Sequence, residues 1–229
     1  MGGVSRAEEI ARNLAAVRTR IAQACEDAGR INDVHLIVVT KTHPVSDIEI
    51  LRDLGVVDVG ENRDQEAAPK SAAFAAQDGR DLRWHFIGQM QSNKARSVLQ
   101  YASMIHTVDR TSLADALMRT AARPIDCLIQ LSVDGDAARG GVTLEDMPAL
   151  VARIADPLLV RGIMAVAPVH MDPIQAFAVV ARAHDQLRDL VPDAGIRCIG
   201  MSDDFAMAIH AGATHVRVGS AILGTRPVI

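Results

Sequence analysis

"VHLIVVTKTHP", residues 34–44, sets an apolar run directly against a lysine. His35 to Val39 are aliphatic or β-branched apart from the histidine, and a Thr-Lys-Thr-His-Pro cluster bounds them, so the pattern predicts a short buried strand. Pro44 cannot continue a ladder, which puts Lys41 at the strand's carboxyl end. An open dinucleotide-binding sheet requires a Gly-rich turn after its first strand, and "VVTKTHP" has none.

Outward from that strand, further strand-like runs recur at 56–59, 83–88, 104–108, 125–133, 158–164, 196–200 and 215–219. Helical periodicity separates them near 46–54, 62–77, 91–101, 111–122, 143–155, 172–190 and 203–211, with a short last helix after Ser220. Ahead of the first strand, Ile10, Leu14, Val17, Ile21 and Ala24 fall at spacings of three and four, an amphipathic helix over 5–28 closed by Gly29. Eight strands alternating with helices, without a Gly/Ser linker or a compositional break, describe one α/β domain over 1–229. The expected fold is a single (β/α)8 TIM barrel with an extra N-terminal helix.

A net charge of −4 and a pI near 6.0, with no basic run, argue against a nucleic-acid partner. The opening "MGGVSRAEEIARNLAAVRTR" mixes charges with apolar residues at helical spacing, unlike a secretory segment. Arg6 stands where a myristoylation signal wants Ser or Thr. No window reaches the apolar length of a membrane span. Cys25, Cys127 and Cys198 are odd in number and isolated, indicating neither a disulfide framework nor a metal knuckle. The expectation is a reduced, cytoplasmic, soluble protein without a metal.

In a barrel, function sits on the loops after the strands' carboxyl ends. Lys41, "GENRDQE" at 60–66, "HFIGQMQSNKAR" at 85–96, "HTVDR" at 106–110, "GMSDD" at 200–204 and "RVGSAILG" at 217–224 all fall on that face. The last two clusters suit an anion, because barrels commonly hold phosphate after strands seven and eight. Gly219 lets the backbone approach closely and Ser220 offers a hydroxyl. Ser202 reads equally as a phosphate ligand or as a plain N-cap of the helix beginning at 203. Alternation puts His215, Arg217 and Gly219 on the face opposite Val216 and Val218, so Arg217 aims into the barrel. An inward arginine needs an anionic or acceptor-rich ligand, or an ion pair with Glu61 or Asp109. Lysine, phosphate grip and inward arginine on one mouth suggest a phosphorylated aldehyde held as a Schiff base, and pyridoxal 5'-phosphate is the cofactor that uses this arrangement most often.

The runs "VVTKTHP", "GEN..QE", "WHFIG.MQSNKAR", "IHTVDR", "RGIMAV" and "GMSDDFAMAIHAGATHVRVGSAILG" together resemble the pyridoxal-phosphate homeostasis proteins, which are similar to the barrel domain of alanine racemase. The similarity runs from about residue 5 to residue 226. It implies pyridoxal phosphate on Lys41, Asn62 near the ring's face or hydroxyl, Arg217 near its nitrogen, and Ser202, Gly219 and Ser220 around the phosphate. Two residues depart from the pattern: Arg63 stands where many relatives carry an aromatic residue, and Gln89 replaces a common proline.

The resemblance implies a non-catalytic protein that stores and delivers the cofactor, with pyridoxal phosphate, other B6 vitamers and pyridoxal-phosphate-dependent apoenzymes as partners. A monomer is expected. The alternative is a weak amino-acid racemase or related enzyme, which needs a second base opposite the lysine. The single tyrosine, Tyr101, falls in the crossover after strand three, leaving His43 or His85 as stand-ins, and the alternation with Trp84 reads His85 as a packed strand residue. A class I aldolase would also use a barrel, a lysine and a phosphate site. "QSNKAR" reads as a helix cap, Glu61 as an acid, a cap or a partner of Arg217, and "DGDAARGG" at 134–141 as a flexible loop over the mouth rather than a calcium site.

Overall fold

The computed structural model describes residues 4–31, 33–75 and 82–224. Its strands are β1 His35–Val39, β2 Asp58–Glu61, β3 Arg83–Phe86, β4 Ala102–Val108, β5 Ile125–Gln130, β6 Leu158–Met164, β7 Ile196–Cys198 and β8 His215–Val218. They pair in chain order, all parallel, and β8 returns to β1 with Ile37 beside Arg217, so the sheet is closed. Between them lie α2 Val45–Asp53, α3 Asp64–Ala75, α4 Ala95–Tyr101, α5 Thr111–Thr120, α6 Met147–Arg153, α7 Pro173–Leu190 and α8 Phe205–His210. The barrel and its alternation are as the sequence predicts; the last two residues of the helix expected to reach 77 lie outside the described residues.

The period of two divides each strand between two cores. Val38, Val59, Ile105, Ile129 and Val216 face outward into one large cluster beneath the helices. Ile37, Met104, Leu128, Met164 and Cys198 form a separate, smaller cluster inside the barrel. Polar residues fill the rest of the interior: Asp58, His85, His106 and Arg217 are all buried.

Helix α1, Arg6–Asp27, precedes this ring and begins with a capping box in which Ser5 and Glu8 satisfy each other's backbone N–H groups. Ile10, Leu14, Val17 and Ile21 bury its apolar stripe. After β8, the last helix among the described residues is the four-residue α9, Ser220–Leu223, too short to cover the last seam of the barrel. Helix α1 covers it, packing against α8, α9 and α2. Asn13 Nδ2 donates to Ile222 O at 3.1 Å, and Arg6 donates to Leu223 O at 2.8 Å and to Asp47 of α2.

Candidate functional site

Lys41 stands one residue past Thr40 at the exit of β1, followed by a backbone that few side chains tolerate. Thr42 has φ 67°, the left-handed region, where a β-branched residue is strained. Its N–H donates to Glu66 Oε2 of α3 at 3.0 Å, and its hydroxyl donates to Lys41 O at 2.5 Å. These bonds hold the turn that orients Lys41.

A cavity of about 470 Å³ opens there, lined by Lys41, Ser202, Arg217, Gly219 and Ser220, with His43 and Asp203 at its edge. Five of the six site residues expected from the sequence therefore share one space. Ser220 Oγ lies 3.1 Å from Ser202 Oγ, so the loops after β7 and β8 present two hydroxyls together. Ser202 is not the cap of α8: Asp204 holds that position, and its carboxylate accepts from the Met201 N–H at 2.6 Å. Asp204 is thus turned onto its own loop. At Gly219 a Cβ would lie 3.1 Å from Val39 O and 3.2 Å from Val39 Cβ, so a side chain there would crowd β1.

Asn62, the sixth, lines a different cavity of about 580 Å³ across the mouth, together with Arg63, Gln89, Lys94, Asp109 and Gly140. Its turn is fixed by β3's exit, since a Cβ on Gly88 would fall 2.0 Å from Asn62 O. "DGDAARGG" reaches this second cavity through Gly140; it carries a 3-10 turn at Ala137–Arg139, and Arg139 pairs with Asp134.

Arg217 is 4% exposed and does aim inward. Its partners are neither Glu61 nor Asp109. Nη1 donates to Cys198 O at 2.8 Å and approaches Cys198 Sγ at 3.1 Å, while Nη2 donates to Ala165 O at 2.9 Å. Backbone carbonyls offset the burial of the guanidinium. Asp109 pairs with Arg110 at 2.7 Å. Glu61 faces out of the barrel, where Lys70 of α3 reaches it at 2.8 Å and Thr40 Oγ1 at 2.6 Å. Burial pushes the Glu61 carboxyl up, and these two bonds oppose it. The sequence reading missed Lys70, although Ala67, Lys70 and Phe74 lie at spacings of three and four on the buried face of α3, which is a signal.

It also missed a polar chain inside the barrel. His85 is packed, as expected, but it is bonded on both sides: Nε2 to Asp58 Oδ1 at 2.8 Å and Nδ1 to His106 Nε2 at 2.9 Å. Burial would raise the Asp58 carboxyl, yet the bonds from His85 and Arg83 outweigh it and hold it below the ordinary value. An ionised Asp58 takes the His85 Nε2–H, leaving His85 Nδ1 to accept from His106 Nε2–H. Period-two alternation is the signal that could have found them: Val59, Trp84 and Ile105 pack outward, which turns Asp58, His85 and His106 inward. Of the other bases, Tyr101 ends α4 with its hydroxyl 3.5 Å from Asp64 Oδ1, and burial drives its pKa up. His43 does line the Lys41 cavity, 3.3 Å from Asp47, and burial lowers its pKa.

Residues 10–227 match the family described as "Alanine racemase, N-terminal domain". The "Pyridoxal phosphate homeostasis protein" of Mycobacterium leprae is 37% identical, over 96% of this chain and 93% of that one. The chain belongs to the pyridoxal phosphate homeostasis protein family. The family member of Escherichia coli is also 37% identical, across 95% of this chain and 97% of its own. The structure of PipY from Synechococcus elongatus "with PLP bound" superposes with a TM-score of 0.80 at 31% identity, covering 94% of this chain and all of that one, 100%.

Proposed function

We propose that this protein binds pyridoxal 5'-phosphate as a Schiff base on Lys41 and serves its storage and delivery. One observation carries the reading: an amine at a strand end and two facing serine hydroxyls share one cavity, with a buried arginine on its lining. The chemistry of this donor set fits the cofactor. Ser202 and Ser220 would donate to the phosphate, with Gly219 leaving room for it beside β1. Arg217, already fixed by two carbonyls, would face the ring nitrogen and keep it unprotonated. When bound, the cofactor supplies an aldehyde and an electron sink, and an unprotonated ring weakens that sink. Asn62 would reach the ring from the neighbouring cavity. The family name and the PipY structure support this reading.

Delivery to apoenzymes, binding of other B6 vitamers, a monomeric state and a cytoplasmic location belong to the same proposal. Cys25, Cys127 and Cys198 are buried free thiols, consistent with a reducing compartment, and no helix among the described residues is long and apolar enough to cross a membrane. A second reading, a weak amino-acid racemase, is favoured by His43, the one candidate base that borders the Lys41 cavity.

The test is visible absorbance with added pyridoxal phosphate before and after borohydride, with the reduced adduct mapped by mass spectrometry. A band that borohydride fixes onto Lys41, absent in Lys41→Ala, is expected. Equal spectra for the two proteins would overturn the assignment. Deuterium exchange at the α-carbon of alanine, lost in His43→Asn, would favour the racemase.

A further inference from the structure

The second cavity gathers side chains that the Lys41 site leaves unused: Arg63, Gln89, and Lys94 of "QSNKAR". We propose that it is a separate binding site for a small monocarboxylate, coupled to the Lys41 turn through Glu66. The claim does not depend on what Lys41 binds.

The charges decide the ligand class. Lys94 Nζ lies 3.5 Å from Asp64, which also accepts from Ser97 Oγ at 2.8 Å. Arg110 is pinned by Asp109 at 2.7 Å and by Met90 O at 2.6 Å. Both cations are therefore neutralised in place. Arg63 is held more loosely: its side chain is 68% exposed, and its ion pair with Glu66 Oε1, at 3.6 Å, is open to solvent. One loosely paired, exposed guanidinium beside Asp64 and Asp109 suits a single negative charge and opposes a dianionic phosphate. A planar carboxylate also matches the guanidinium fork. The Gln89 and Gln91 side chains supply neutral polar groups, and Phe86 and Met90, each 2% exposed, give an apolar floor for a short carbon body.

Glu66 connects the two cavities. One carboxylate oxygen faces Arg63, while the other accepts the N–H of Thr42, the strained residue after Lys41. A ligand that takes Arg63 changes what Glu66 can give to Thr42. By linkage, occupancy at either end then biases the other.

The experiment is an amide NMR titration with lactate at constant ionic strength, chloride serving as control and inorganic phosphate as a second probe. Saturable shifts are expected at residues 62–66 and 89–91 and at the Thr42 amide. Arg63→Gln, at an exposed position, should weaken them on the order of tenfold. Glu66→Gln should keep the shifts at 62–66 and 89–91 but lose the Thr42 response. The site is overturned by an absence of saturable shifts, by shifts centred on 202 and 219–220, or by an unaltered Arg63→Gln. Phosphate binding the same amides as tightly as lactate would overturn the monocarboxylate class, and a Thr42 response that survives Glu66→Gln would overturn the coupling.

Discussion

Lys70 and Glu61 show how a single buried residue constrains its neighbour. Glu61 is 1% exposed, and Lys70 supplies its 2.8 Å partner from α3 while also donating to Thr40 O at 3.0 Å. Removing the cation alone leaves an uncompensated charge, so Lys70→Met should cost about 3–5 kcal/mol. The double variant Lys70→Met/Glu61→Gln should recover most of that, as read by urea denaturation at neutral pH; equal losses in both would refute the argument. The strained turn beside Lys41 predicts the opposite pattern. Thr42→Gly releases left-handed strain but frees the unfolded chain, and the two effects nearly cancel, leaving stability within about 1 kcal/mol. If Lys41 carries the cofactor, a looser turn there should nevertheless weaken pyridoxal phosphate binding, measurable by absorbance titration. The place of Lys41 at the exit of β1 was legible, because a lysine between an apolar run and a proline stands out in one dimension. Lys70 was not read, since its importance comes from a carboxylate nine positions away that only the β2–α3 packing brings to it.

The elements were predictable wherever one face is apolar, and boundaries drifted where polar or glycine residues serve the barrel. β2 was expected at 56–59 and lies at Asp58–Glu61. Val57 is 51% exposed and precedes the strand, whereas Gly60 belongs to it because a Cβ there would sit 3.2 Å from both Ile37 and Ile87. Glu61 extends the strand because Lys70 and Thr40 satisfy it. Helix α6 starts at Met147 rather than 143, because Thr143 Oγ1 accepts the Asp146 N–H and closes a turn first. Helix α1 matched its pattern almost residue for residue, and its cap can be weighed. Ser5→Ala removes one partner of the capping box and should cost about 1 kcal/mol. Glu8→Ala should also lower stability, and the two losses should not add, since the groups act as a unit. Urea midpoints of the three variants check this. The consequence reaches beyond one helix end, because α1 closes the seam that α9 is too short to cover.

Across the whole molecule, the barrel interior sets the response to acid. His106 is fully buried, and burial, together with the charges of His85, Arg217 and His215, holds its pKa well below the ordinary value. His215, stacked on His35 at 4.6 Å, is pushed down to about 3 by burial and by the neighbouring His35 and His85. A histidine whose folded pKa is depressed binds fewer protons in the native state than in the unfolded one. Its stability contribution is complete above the unfolded value near 6.5 and is lost as pH falls below it. Each such residue removes about 1.4 kcal/mol per pH unit, so two remove roughly 5 kcal/mol by pH 4.5, comparable to the stability of a whole domain. Asp58 acts later and in the same direction: its depressed pKa keeps its contribution intact until the pH drops below about 3.9. The protein should therefore lose most of its stability between pH 6.5 and 4.5, before Asp58 titrates. His106→Gln can still donate to His85 but cannot take a proton, so it should reduce the slope of stability against pH by one histidine's share, about 1.4 kcal/mol per pH unit. The slope is the proper readout, because an altered core shifts stability equally at every pH. Urea midpoints at pH 7.5, 6 and 5 decide it, and an unchanged slope would place the acid sensitivity elsewhere than in the histidines of the barrel.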